Sequence, residues 1–206
     1  MKLYTSVGPN PRVVKMFLAE KGLDLPRVTV DLMGGENRRA PYNEAVNPAG
    51  QTPALELDDG AFLTEILPIC EYLEEKQPSP PLIGTTPEER AATRMWTRRV
   101  DLKVCEPMAN GFRFGEGLQL FKDRTLCVPE ASPGLKAMAK DGEAWLEKHI
   151  QGPWVAGDRF TLADILLYAF VDFGGQVGQP LDPAFTKLTD WFGRVKARES
   201  AAASAA

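Results

Sequence analysis

The sequence predicts an α/β layer on a small mixed four-stranded sheet, followed by an all-helical bundle. Three observations carry this. Short β-branched runs alternate with helical patterns up to about residue 76. Residues 77–85 then hold three prolines in nine positions, which suits a linker and neither a helix nor an inner strand. Beyond them no strand pattern recurs. The expected division is a first domain over 1–77, a linker over 78–86 and a helical domain over 87–206.

The chain opens on a strand, Lys2–Thr5, and enters the turn Gly8-Pro9-Asn10-Pro11. Val13, Val14, Phe17 and Leu18 then fall at helical spacing over 12–21, and Gly22 closes that helix. Residues 26–30 alternate and are β-branched, hence a strand. Residues 31–49 are polar and turn-rich, with one short helix expected before Asn47-Pro48. Two short runs flank Asp58-Asp59-Gly60, a hairpin signal. A helix follows over 65–76, with Ile69, Tyr72 and Leu73 on one face.

In the second half Thr86 serves as N-cap, Pro87 takes the first helical position and Glu88 and Glu89 the first turn of a helix running to about Met108. Further helices are expected over 133–149, 161–172 and 183–198. Thr161 and Asp164 form a capping-box variant with Asp at N3. As a simple cap, Asp164 would contribute about 1 kcal/mol. Residues 199–206 are small and polar and are expected to fray.

Composition excludes several function classes. The chain has 206 residues, 44% hydrophobic and 25% charged, so it can bury a globular core. A net charge of -4 leaves no cationic excess for nucleic acid. The longest apolar run, 165–171, is far shorter than a membrane span of roughly 20 residues. The N-terminus lacks the apolar stretch of a secretory signal, so the expectation is a soluble cytoplasmic protein. Cys70, Cys105 and Cys127 are odd in number and widely spaced, against a disulfide framework and against C-x-x-C chemistry. The single histidine, His149, has no neighbouring cysteine with which to hold zinc, so no metal is expected. Its place in Trp-Leu-Glu-Lys-His suits a cation near a helix C-terminus.

Three segments share an order and spacing. They are Asn47-Pro48-Ala49-Gly50-Gln51-Thr52-Pro53-Ala54-Leu55, then Leu63-Thr64-Glu65 leading into Ile69 to Leu73, then Gly157-Asp158-Arg159-Phe160-Thr161-Leu162-Ala163-Asp164. Together they resemble the cytosolic glutathione transferases over essentially the whole chain, with some likeness to the Nu and theta-like classes. The resemblance implies a thioredoxin-like first domain that binds glutathione as cosubstrate. It also implies a helical domain that completes the pocket for a hydrophobic small molecule, a homodimer, and a role in detoxification.

The resemblance also assigns residues. Pro53 matches the family's cis-proline, which turns the Thr52 peptide groups toward the cysteinyl backbone of glutathione in the manner of an added strand. Glu65 matches the acid that meets the γ-glutamyl ammonium. Ile66 departs from the usual Ser, losing a hydroxyl worth on the order of 1.5–3 kcal/mol to a charged group; its backbone N–H at the helix start remains. Arg38 or Arg39, with Gln51, falls where the glycyl carboxylate is held. Trp96, Arg99 and Phe112 fall where the second-substrate pocket is walled.

A free thiol titrates near 8.5, so the site must favour the thiolate. Gly8 stands where the theta-like classes keep a catalytic Ser, so that pattern is broken. Asn10 matches the Nu-class Asn that donates to sulfur, and Ser6 is the other candidate; as a helix opener Asn10 could instead be an N-cap. The leading expectation is a glutathione S-transferase. A glutathione-dependent disulfide reductase and a non-enzymatic ligand-binding protein on the same fold are the alternatives.

Overall fold

Strands β1 (Lys2–Thr5), β2 (Arg27–Thr29), β3 (Ala54–Glu56) and β4 (Phe62–Thr64) make one mixed sheet in the order β2-β1-β3-β4. β1 runs parallel to β2 and antiparallel to β3, and β3 pairs antiparallel with β4. The β3–β4 hairpin turns at Gly60, with φ of 85°, where the Leu57 N–H donates to the Ala61 carbonyl at 2.8 Å. The structure is a computed structural model that describes residues 1–205. It divides into two units, Met1–Pro80 with the residues from Ala202 on, and Pro81–Ala201.

In the first unit, helices α1 (Pro9–Lys21) and α2 (Ile66–Lys76) pack together. Leu3, Val13, Val14, Phe17, Leu18, Leu55, Ile69 and Leu73 are fully buried. Each such side chain contributes roughly 1.5–3 kcal/mol. Lys21 ends α1 with its ammonium ion-paired to Glu74 of α2 and donating to the Pro80 carbonyl at 2.6 Å. Both side chains of the pair are buried. Gly22 follows in the left-handed conformation and caps the helix.

Residues 31–49 differ from the single short helix expected. They form a 3-10 turn, Glu36–Arg38, and a π-helical turn, Tyr42–Val46. Pro41 lies between them and, lacking an N–H, cannot carry one helix across. The proline-rich segment 77–85 forms neither helix nor strand, and its end is held down: Leu82 and Ile83 are buried, and the Leu82 carbonyl accepts from the Leu162 N–H at 2.9 Å.

The second unit is helical: α3 (Pro87–Val100), α4 (Glu106–Phe114), α5 (Leu118–Phe121), α6 (Ser132–His149), α7 (Leu162–Gln176) and α8 (Thr186–Lys196). The helix expected to end near Met108 instead passes through a π-helical turn, Asp101–Cys105, and continues to Phe114. Pro107 cannot donate to the carbonyl four residues back, at Lys103, which forces the local rewinding. That carbonyl crowds Gly142 of α6: a Cβ there would lie 2.1 Å from it. The tail also departs from expectation. Residues 199–203 form α9 (Glu199–Ala203), Ser204 is buried, and the Arg12 Nε donates to the Ser204 hydroxyl at 3.4 Å. Residues from Ala202 on therefore belong with the first unit rather than the helical one.

Asp164 is more than a cap. It is fully buried; Oδ1 accepts the Val155 N–H at 2.8 Å and the Trp191 indole N–H at 2.9 Å. Oδ2 accepts the Thr161 N–H at 2.9 Å and the Thr161 hydroxyl at 3.1 Å. Burial pushes this carboxyl up to about 6 against those four donors. Asp164→Ala strands the donors, so urea unfolding is expected to show a loss on the order of 3–5 kcal/mol rather than the 1 kcal/mol of a simple cap. Glu143, buried on α6, is likewise pushed up by burial, to about 7, opposed by the Lys140 ammonium and reinforced by Asp182. A folded value above the ordinary 4.5 gives stability that is present below that pH and lost as pH rises through about 7. Glu143→Gln is expected to flatten this dependence, leaving the variant up to about 3 kcal/mol more stable than wild type above neutrality and level with it in acid.

Candidate active site

Strand register decides what meets at one end of the sheet. β1 and β3 pair Lys2 with Glu56, Leu3 with Leu55 and Tyr4 with Ala54. One more pleat sets Ser6 against Thr52, whose hydroxyls lie 2.6 Å apart. β3 and β4 pair Ala54 with Thr64, so Glu65 follows where Pro53 precedes. α1, of 13 residues, and α2, of 11, both start at this end. Their positive N-terminal dipoles favour anions there.

The Thr52–Pro53 peptide is cis. Among the described residues neither the N–H nor the C=O of Thr52 enters a backbone hydrogen bond. The three residues before it are held by side chains. Arg38 Nη1 donates to the Ala49 carbonyl at 3.1 Å, and Asn37 Nδ2 to that of Gly50 at 2.6 Å. The Gln51 carbonyl accepts both the Tyr42 hydroxyl at 2.7 Å and Asn47 Nδ2 at 2.9 Å.

Glu65 is exposed and has φ of 69° and ψ of 139°, the sole positive φ at a non-glycine among the described residues. That region suits glycine and costs a side-chain-bearing residue about 1–3 kcal/mol. Ile66 opens α2 directly after it. Asn10 lies inside the first turn of α1, because the N-cap is Gly8 with φ of 110°. The N-cap role open to Asn10 in the sequence is thus taken by Gly8, and no hydrogen bond of the Asn10 amide is formed among the described residues. Ser6 is committed inward: its hydroxyl contacts Thr52 and donates to the Val7 carbonyl at 3.1 Å.

The predicted arginine grip is not displayed as a free fork. Arg38 is tied to Ala49, and Arg39, exposed, donates to the Gly34 carbonyl at 2.9 Å. Gln51 is exposed beside Thr52. Trp96, Arg99 and Phe112 do not form one group. Arg99 lies 5.0 Å over the Trp96 ring and 5.8 Å over that of Trp145, whereas Phe112 meets Phe173 edge-on at 5.2 Å and Phe121 at 6.1 Å. Sequence reasoning missed Asn37 and Tyr42 entirely and gave Asn47 no role beyond a helix boundary and the head of the Asn47–Leu55 segment. A buried-type aromatic, Tyr42, inside a polar stretch was the available signal.

Other chemistry is poorly supplied. Burial pushes the Cys70 and Cys105 thiols well above their ordinary range. The His149 ring stacks on Trp145 at 4.1 Å. Among the described residues no group of three His, Cys, Asp or Glu side chains is placed to hold a metal, and no helix is long and apolar enough to cross a membrane.

Residues 3–81 match the model of the glutathione S-transferase N-terminal domain, and residues 119–199 that of the C-terminal domain. The chain is 30% identical to glutathione S-transferase 2 of Saccharomyces cerevisiae over 203 residues, covering 95% of this chain and 85% of that one. The chain belongs to the glutathione S-transferase family. It is also 34% identical over 197 residues to a maleylacetoacetate isomerase of Pseudomonas aeruginosa, covering 92% of this chain and 90% of that one. The crystal structure of Gtt2 from Saccharomyces cerevisiae superposes on this family member with a TM-score of 0.92 at 28% identity, covering 99% of this chain and all of that one.

The Glu65 backbone makes a stability prediction. Glu65→Gly relieves the positive φ, and the gain exceeds the added chain entropy. Denaturant unfolding is expected to show a stabilisation of about 1 kcal/mol; a loss of stability would mean that the carboxylate is needed by the fold itself.

Proposed function

We propose that this chain is a glutathione transferase: it binds glutathione on the first unit, stabilises its thiolate, and directs it at a hydrophobic electrophile. The observation that carries the reading is the unpaired Thr52 peptide edge at the sheet end where α1 and α2 begin. Glutathione is an extended peptide, and such a ligand pairs with a free backbone edge. Glu65 answers the γ-glutamyl ammonium, and the first-turn N–H groups of α2, beginning at Ile66, answer its carboxylate. Arg39 and Gln51, both exposed, are the groups for the glycyl carboxylate, with Arg38 holding the Ala49 carbonyl of the loop.

Asn10 is the better donor to sulfur. Its amide stands in the first turn of α1 without an internal partner among the described residues, whereas the Ser6 proton is used within the site. A side-chain amide N–H together with the helix dipole lowers the thiol pKa, as a donor to developing negative charge does elsewhere. The thiol proton leaves to solvent, the sulfur–carbon bond forms, and the electrophile's leaving group departs or its π-bond takes the electron pair. Family membership supports action as a cytoplasmic homodimer with no metal.

A second reading, glutathione-dependent reduction of a small disulfide, is favoured by the Gly8-Pro9-Asn10-Pro11 segment with its resemblance to the Nu class. Both readings use Asn10. Asn10→Ala is expected to lower kcat on the order of 100-fold and to raise the pH at which bound glutathione ionises, read from thiolate ultraviolet absorbance. Ser6→Ala is expected to keep kcat within about 3-fold, given the modest net value of one neutral hydrogen bond. The reverse ranking would transfer the role to Ser6. Glutathione affinity that exceeds that for its disulfide keeps the transferase reading; the opposite order favours the reductase.

A further inference from the structure

Residues 49–51 precede β3 and lie outside the strand ladder, so their carbonyls need partners from elsewhere. They find them in side chains rather than in backbone. Asn37, Tyr42 and Asn47, each at most 3% exposed, donate to two successive carbonyls, Gly50 and Gln51. The Gln51 carbonyl carries two of these donors, and Gln51 adjoins the Thr52 peptide edge directly.

The donors are themselves anchored. The Tyr42 ring meets Tyr4 of β1 edge-on at 6.3 Å, and Tyr4 meets Phe62 of β4 at 5.7 Å. Asn47 closes its own turn, its carbonyl accepting the Gly50 N–H at 2.8 Å and its Oδ1 the Ala49 N–H at 3.0 Å. Burial pushes the Tyr42 hydroxyl up to about 12, so it remains a protonated donor throughout the working range. The direction of the Thr52 peptide is therefore set by a hydroxyl whose ring packs on the sheet and by two buried amides of the preceding loop.

We propose that Tyr42 and Asn47, with Asn37 behind them, are positioning residues for glutathione: by clamping the Gly50 and Gln51 carbonyls they preorganise the Thr52 edge that pairs with the tripeptide. The inference rests on the glutathione reading above. Preorganisation lowers the ordering cost of binding and leaves the chemical step alone.

The experiment compares Tyr42→Phe, Tyr4→Phe and Asn47→Asp with wild type, by calorimetric titration with reduced glutathione, by kcat and KM, and by Tm. Tyr4→Phe is the control. It deletes a hydroxyl from the same ring row, but one that donates to Glu56 at 2.9 Å rather than to the loop. Tyr42→Phe is expected to raise Kd and KM for glutathione about 3- to 10-fold with kcat at saturation little changed, the worth of one lost hydrogen bond. Tyr4→Phe is expected to leave Kd and KM as they are. Asn47→Asp sets a second oxygen against the Gln51 carbonyl and is expected to weaken binding further. Should Tyr42→Phe disturb folding, Asn47→Asp alone decides, by the same split between KM and kcat. If Tyr42→Phe and Asn47→Asp bind glutathione as wild type does, or Tyr4→Phe weakens binding equally, the inference is overturned while the glutathione reading stands. Wild-type protein that binds no glutathione overturns both.

Discussion

Pro53 has no N–H to give to a ladder, and it stands one residue before β3 begins. The sheet must therefore stop there, and the Thr52 peptide is left beyond the last strand pair. Everything at this end is arranged around that interruption. β1 runs past it into Ser6, which meets Thr52 hydroxyl to hydroxyl. β4 runs past it into Glu65, whose backbone turns through a positive φ before α2 can start. α1 and α2 bring their dipoles to the same place. An unpaired peptide edge with an acid on one side and helix starts around it is what an extended peptide with a zwitterionic head requires.

Such an edge serves binding only if the frame under it does not give. In the first unit the frame is tied by a buried ion pair, Lys21 with Glu74, at the far end of α1 from Asn10. A pair of this kind adds little net stability over an apolar contact, yet loss of either partner leaves a stranded charge that costs roughly 3–5 kcal/mol. Its effect is to penalise alternative packings of α1 on α2. Asp164 does the same in the second unit, collecting donors from three segments onto one carboxylate. Both nodes favour one arrangement by making the others expensive.

Local signals were legible in the sequence. The Asp58-Asp59-Gly60 hairpin, the Thr86-Pro87 helix start and the Gly22 stop each depend on a few neighbouring residues whose backbone preferences are strong. The family resemblance rested on similar short segments. What was not legible depends on partners distant in sequence. Nothing in Glu65 itself announces a positive φ; the strain follows from joining β4 to α2 in the space available. The three donors that hold Gly50 and Gln51 lie in a stretch without periodicity, so only the fold reveals their common target. Helical spacing places Trp96, Arg99 and Phe112 within one long helical run but does not say which rings from α6 and α7 meet them, and Trp145 and Phe173 divide them. The tail read as frayed because Ala and Ser give no apolar pattern, although Ser200, Ala201 and Ser204 are buried.

Hydrogen exchange at a single amide tests the central claim most directly. The Thr52 N–H can be followed by NMR in the free protein and with saturating reduced glutathione. If the peptide edge is where the ligand pairs, exchange at Thr52 slows at least about 10-fold, the equivalent of one added backbone hydrogen bond, while amides within β2 are unaffected. Glutathione binding that leaves the Thr52 amide exchanging at its free rate would contradict the account and place the ligand elsewhere on the fold.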